Sequence, residues 1–196
     1  MKKMALVLAA VLASGMVLTA CGGSGNAAKE TTGNNTSTTT TTTGGLDLAV
    51  QVGPDPETVD PALNTAIDAS NIILHAFETL LTFDENNDIV PGQAESFDVS
   101  DDGLTYTFHL RDGLKWSDGS DFTAEDFVYS WKRLADPMTA APYAADMLSM
   151  VKGYEEAAAG DIDALAVSAP DAKTLVVELA SPCVYFDKII THASMA

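Results

Sequence analysis

LTYTFHLRDGLKWSDGSDFTAEDFVYSWKRL, residues 104–134, is the stretch on which the fold turns. It opens with an alternation: Leu104, Tyr106, Phe108 and Leu110 on one side, Thr105, Thr107, His109 and Arg111 on the other. A period of two residues is that of a β-strand with one face buried. Asp102-Gly103, Asp112-Gly113 and Asp118-Gly119 are turn dipeptides, and they mark off this strand and a shorter extended piece, Leu114–Trp116. The period then changes. Thr123-Ala124-Glu125-Asp126 has the spacing of a capping box, and Phe127, Trp131 and Leu134 follow on one helical stripe that Asp136-Pro137 closes. A half-buried strand followed by an amphipathic helix predicts the α/β class, here a mixed α+β arrangement with antiparallel hairpins.

Working outward, Leu46–Val52 alternates like a short strand and is stopped by Pro54 and Pro56. Ser70 is placed to cap a helix through Leu81, with Ile73, Phe77, Leu80 and Leu81 along one face. Asp84-Glu85-Asn86-Asn87-Asp88 imitates a calcium loop, but Ile89 stands where that loop needs glycine. The spacing predicts instead a polar hairpin turn between Leu80–Phe83 and Ile89–Val90. A second amphipathic helix is predicted over Ala144–Ala158 and a further strand over Thr174–Leu179. The part beyond Leu46 is about 150 residues, a length usual for one domain.

The N-terminal part has a different logic. Met1-Lys2-Lys3 is basic, and Met4–Leu18 is apolar but shorter than the ~20 residues a membrane span needs. That is the form of a secretory signal, expected to cover residues 1–20. Leu18-Thr19-Ala20-Cys21 resembles a bacterial lipobox, which implies a multiply acylated Cys21 anchoring the chain to the outer face of the cell membrane. Gly22–Gly45 holds nine Thr, six Gly, three Asn and two Ser, too little apolar surface to offset the entropy of ordering. Residues 21–45 therefore read as a tether, reaching roughly 25–30 Å as a flexible coil. The net charge is −18, and it becomes −20 without Lys2 and Lys3, so nucleic acid is excluded as a partner. With Cys21 lipidated, Cys183 has no cysteine to pair with, and its apolar neighbours Val184 and Phe186 predict a buried, unreactive side chain.

Several longer motifs follow one another in order: Glu95-Ser96-Phe97, Tyr106–Arg111, Lys115-Trp116-Ser117-Asp118-Gly119 and Thr123–Trp131. Val59-Asp60-Pro61 and Phe77-Glu78-Thr79-Leu80-Leu81 precede them. Together they resemble the extracytoplasmic solute-binding proteins of family 5, which serve peptide and nickel ABC importers. Asp136-Pro137-Met138-Thr139-Ala140-Ala141-Pro142-Tyr143-Ala144 is similar to the oligopeptide-binding subgroup. The resemblance implies a two-lobed, type II-like periplasmic-binding-protein fold with the extra small domain of peptide binders. Residues 46–78 would begin the first lobe and 79–196 would form most of the small domain, in a chain cut short of the family's length. It further implies oligopeptides and the permease subunits of an ABC transporter as partners, a monomer, no cofactor and no enzymatic activity.

By the same resemblance, ligand contacts fall at Tyr143 and at the loop Thr65-Ala66-Ile67, although peptide binders carry an acid where Thr65 stands. A tyrosine suits backbone recognition because it offers a ring and a hydroxyl at low entropic cost. His75, His109 and His192 lack metal-ligand spacing, and Asp126 lies in a first helical turn, where a carboxylate favours the dipole. Binding of another solute (a nickel chelate, haem or a sugar), sensing of a signal peptide and a lipid-anchored enzyme are the competing readings. The enzyme has no Gly-x-Ser-x-Gly or His-Glu-x-x-His motif to support it. The anchor is directly testable: Cys21→Ser should abolish metabolic lipid labelling and release the protein from membranes. Labelling that persists in the variant would refute the lipobox reading.

Overall fold

The computed structural model describes residues 49–51 and 53–196. Its elements run α1 (Ile67–Ala76), β1 (Leu81–Phe83), β2 (Ile89–Pro91), β3 (Ala94–Val99), β4 (Thr105–Leu110), α2 (Ala124–Ala135), α3 (Ala144–Leu148), α4 (Tyr154–Ala158), β5 (Val167–Asp171), β6 (Thr174–Glu178) and α5 (Phe186–Ile189). Residues 48–196 form one compact unit. A four-stranded antiparallel sheet of order β3-β4-β6-β5 lies at its centre, beside the small hairpin β1-β2.

The sheet exists because β4 has one thoroughly apolar face. Tyr106, Phe108 and Leu110 are buried, whereas Thr105, Thr107 and His109 are partly exposed, as the alternation predicts. Phe97 of β3 sits opposite Phe108 with ring centroids 5.6 Å apart, and Phe186 meets Tyr106 edge-on at 4.9 Å. Helix α2 packs against β5 and β6, with Phe127, Trp131 and Leu134 buried. Its start is fixed as the sequence predicts: Asp126 Oδ2 accepts the Thr123 N–H at 2.7 Å. Beyond it, Asp136 turns extended ahead of Pro137 and the helix ends.

Two strands escape the sequence reading for identifiable reasons. The β3 ladder shifts register between Ala94 and Ser96, so the apolar residues do not alternate along the strand. β5 contains Pro170, tolerated because this strand lies at the edge of the sheet.

Four expectations need correction. Of the proposed strand Leu46–Val52, residues 46–48 and 52 lie outside the described residues; Ala49–Gln51 has no ladder and Val50 is exposed. Alternation alone does not make a strand without a neighbour to pair with. Helix α1 begins at Ile67, not after Ser70, because buried Asn64 organises its entry. Asn64 Oδ1 accepts the Ala66 N–H at 2.9 Å, and its Nδ2 donates to Ser70 Oγ at 2.8 Å. The helix also ends early: Phe77 turns extended, and Leu80 becomes a pairing residue whose carbonyl accepts N–H groups from Gly92 and Ala94. The predicted helix Ala144–Ala158 is two short helices, α3 and α4. Between them Val151 bridges Leu179, and the Lys152 N–H donates to the Glu178 carbonyl at 2.9 Å.

Gly153 makes that break obligatory. Its φ is +80°, and a Cβ there would lie 1.9 Å from the Ala164 carbonyl oxygen. Gly153→Ala should therefore lower stability by about 2 kcal/mol or more, since it adds a backbone clash to left-handed strain. A fall in the urea midpoint at unchanged m-value would show this. An unchanged midpoint would mean that the 151–153 crossing is not fixed.

Candidate ligand-binding surface

The C-terminal strip after α5 is held down by α2. The Trp131 indole Nε1–H donates to the Met195 carbonyl at 3.1 Å, and the Ser130 hydroxyl donates to the Ala196 carbonyl at 2.9 Å. Met195 is fully buried as a result. Ala193, two residues earlier, is covered by Ala69 and Ile73 of α1, with Phe77 against the same cluster. His192 packs on Tyr143 with ring centroids 5.5 Å apart at 74°, an edge-to-face contact.

This arrangement places the residues singled out in the sequence. Tyr143 is the half-buried N-cap of α3, with the helix running away behind it. Thr65 is exposed, Ala66 is the half-buried N-cap of α1, and Ile67 is its first helical residue, 82% exposed. The three residues are thus a helix entrance and not a free loop. Both segments lean on one strip: α1 through Ala193, Tyr143 through His192. Cys21 lies outside the described residues. Cys183 is buried, and its carbonyl accepts the Tyr106 hydroxyl at 3.2 Å, so it is part of the core.

A separate open cleft of about 1620 Å³ is lined by the 58–62 turn, Ala76–Thr79, Gly113–Ser117 and one face of α2. Neither Tyr143 nor residues 65–67 line it. Its walls carry exposed Leu74, Trp116 and Tyr129, with Trp116 packed on Phe122 at 4.9 Å. Asp126 also borders the cleft, with its carboxylate turned to the Thr123 N–H.

The sequence reading missed the ion pair at the lip of this cleft. Arg133 grips Asp60 with both arms, Nη1 to Oδ1 at 2.9 Å and Nη2 to Oδ2 at 2.5 Å. Asp60 Oδ1 also accepts the Ala62 N–H at 3.0 Å. Seventy-three residues separate the partners, so only the Val59-Asp60-Pro61 motif could have drawn attention to one of them. Hydrogen bonding from Arg133 holds the Asp60 carboxyl below its usual value of 3.8, against the opposing effect of burial. Arg111 repeats the device, pairing with Glu78 and donating to the Gly92 carbonyl at 3.1 Å.

With this geometry in view, the comparisons with known proteins are specific. Residues 88–196 match the family model "Bacterial extracellular solute-binding proteins, family 5 Middle". The chain is 43% identical over 145 residues to the periplasmic oligopeptide-binding protein OppA of Escherichia coli (strain K12), covering 72% of this chain and 26% of that protein. It is 40% identical over 144 residues to the probable deoxycholate-binding periplasmic protein YgiS of the same organism, covering 72% and 27%. Among solved structures, Haemophilus influenzae OppA in complex with RPPGFSPFR superposes with a TM-score of 0.71 at 39% identity, covering 74% of this chain and 29% of that one. The mixed α/β fold with antiparallel sheets is thus one shared with periplasmic oligopeptide-binding proteins. The chain belongs to the bacterial extracellular solute-binding proteins, family 5. It spans between a quarter and a third of the length of these relatives.

The Asp60–Arg133 pair gives a pH-dependent prediction. Because the folded-state pKa of Asp60 is depressed, its contribution is complete above 3.8 and fades as pH falls through the lowered value. Asp60→Asn should cost about 1 kcal/mol near neutral pH, the scale of a half-exposed but bidentate pair. Thermal melts of both proteins should show this gap closing as pH is taken well below 3.8. A gap that persists unchanged in acid would show that Asp60 acts through packing and not through its charge.

Proposed function

We propose that this chain is part of an extracytoplasmic lipoprotein that captures oligopeptides and delivers them to the permease of an ABC importer. The observation that carries the reading is the likeness, at about 40% identity, to oligopeptide-binding proteins, one of them solved around a nonapeptide. In this reading residues 1–20 are the signal and Cys21 the lipidated residue. Residues 21–45 are the tether, 46–78 open the first lobe and 79–196 build most of the small domain. The peptide lies extended between two lobes, with its main-chain groups paired to protein backbone and its side chains in wet, roomy pockets. Hinge closure around the peptide creates the form that the permease accepts. Binding and closure account for the whole activity, and no bond is made or broken.

Tyr143 and the entrance to α1 at Thr65-Ala66-Ile67 supply this chain's share of the contacts. Their placement supports the reading: both present side chains at the surface while being anchored from beneath by one buried strip. A second reading, capture of a non-peptide solute, draws support from the deoxycholate-binding relative, which is nearly as similar. Nickel chelates, haem and sugars belong to the same alternative, and sensing of a peptide signal is a variant of the first.

Calorimetric titration of the protein at its full natural length, with a mixed tri- to pentapeptide pool and separately with deoxycholate, distinguishes the two. The peptide reading expects saturable heat with peptides and none with the bile acid; the converse would overturn it. Tyr143→Ala should weaken peptide binding by about tenfold or more, as truncating an aromatic anchor does, with little change in thermal midpoint. A stability loss of several kcal/mol with affinity intact would instead mark Tyr143 as a core residue.

A further inference from the structure

The sequence reading left His192 without a role, yet it sits at the junction of the two candidate contact segments. Its ring meets Tyr143 edge-on, and its chain neighbour Ala193 is buried beneath Ala69 and Ile73 of α1. A third contact fixes its chemical state. His192 Nδ1 accepts the backbone N–H of Ser194 at 3.2 Å and so caps the short turn Ala193–Met195. Only an imidazole with a lone pair on Nδ1 can accept that bond. Ser194 is buried, so an N–H released from the ring there has no ready access to water.

We propose that His192 is a positioning residue for the ligand surface, whose neutral ring sets Tyr143 and the α1 entrance in place and whose protonation loosens both and weakens ligand capture. The proposal rests on the reading of Tyr143 as a ligand contact. Protonating Nδ1 exchanges the acceptor for a donor aimed at the Ser194 N–H, so the cap breaks and the ring must turn away from Tyr143. The same strip carries Ala193, so the disturbance reaches α1 as well.

The surroundings favour the neutral state. The elements around the strip carry Asp68 and His75 on α1, Glu125, Asp126, Lys132 and Arg133 on α2, Asp146 on α3, and Asp187 and Lys188 on α5. Arg133 is engaged with Asp60 and Lys132 with Asp163, and no ion pair to His192 forms among the described residues. Burial alone pushes the imidazole below its ordinary value of 6.5. A depressed histidine contributes fully to the folded state above 6.5 and loses that contribution as pH falls through the lowered value. Capture is therefore favoured at neutral external pH and weakened in acid.

The coupling can be read without any ligand. Nuclear magnetic resonance of the full-length protein, labelled at histidine and tyrosine rings, should show His192 titrating below 6.5 and the Tyr143 ring signals moving with the same midpoint. His192→Asn keeps an acceptor two residues before Ser194 but cannot titrate, and in it the Tyr143 signals should no longer follow pH. Tyr143 signals that ignore pH in the parent protein, or that titrate identically in the variant, would overturn the proposal. In the full-length protein, affinity for the tri- to pentapeptide pool should fall about three- to tenfold between pH 7.5 and 5 and stay level in His192→Asn. Equal falls in both proteins would also overturn it. Absence of peptide binding at either pH would count against the proposed function, while the resonances would still decide the coupling.

Discussion

Trp131 has to be buried, and its indole N–H has to find an acceptor; much of this structure follows from those two requirements. A buried indole donor left unpaired would cost about 1–3 kcal/mol, so the carbonyl of Met195 is drawn against α2. Phe186 closes over the same ring edge-on, with centroids 6.4 Å apart. The strip from His192 to Ala196 is thereby fixed across one end of the sheet–helix core. It becomes a floor on which α1 and the N-terminus of α3 can both rest. A single residue of the most regular helix thus governs the placement of two separate segments.

The acidity of the chain has a structural explanation of its own. Asp84, Asp102, Asp118, Asp136 and Asp171 each accept a backbone N–H two residues further on, at 2.8–3.1 Å, and so shape the turns. Hydrogen bonds hold four of these carboxyls below the usual range, chiefly from the Asp88 N–H for Asp84, the Ser100 hydroxyl for Asp102, the Ser120 hydroxyl for Asp118 and the Lys173 N–H for Asp171. Much of the aspartate is therefore turn chemistry. The apparent calcium loop belongs with it: Asp84 is engaged with the N–H groups of Asn86 and Asp88, and Asn87 takes the positive φ of a hairpin turn. Most ion pairs lie on the surface and add little individually. Asp60–Arg133 differs because it is partly buried, bidentate and joins the 58–62 turn to α2.

Local sequence was sufficient wherever a local rule settles the conformation. The alternation from Leu104 to Leu110, the Thr123/Asp126 helix start, the Asp136-Pro137 stop and the 84–88 hairpin turn all appear as read. It was insufficient where a distant partner decides. Periodicity runs unbroken through Val151–Gly153, yet Leu179 and Glu178 take those residues into a strand-like crossing. Ser70 has the chemistry of a cap, but Asn64 lies closer to the true helix entry. Leu80 and Leu81 fit the helical stripe, yet their backbone is claimed by the hairpin and by Gly92–Ala94.

The same division holds for the ligand surface. The amino-acid sequence determined by itself the class, the family likeness and the candidacy of Tyr143 and Thr65-Ala66-Ile67, because family motifs and turn chemistry are contiguous along the chain. Only the tertiary structure decided that Tyr143 and α1 share one support, that His192 lies between them, and that Arg133 reaches Asp60. Each of these is a contact across about 50 residues or more, and no periodicity or spacing rule extends that far. Which side chains meet at such range is settled by how the sheet and α2 pack around Trp131, a property of the whole core and not of any segment.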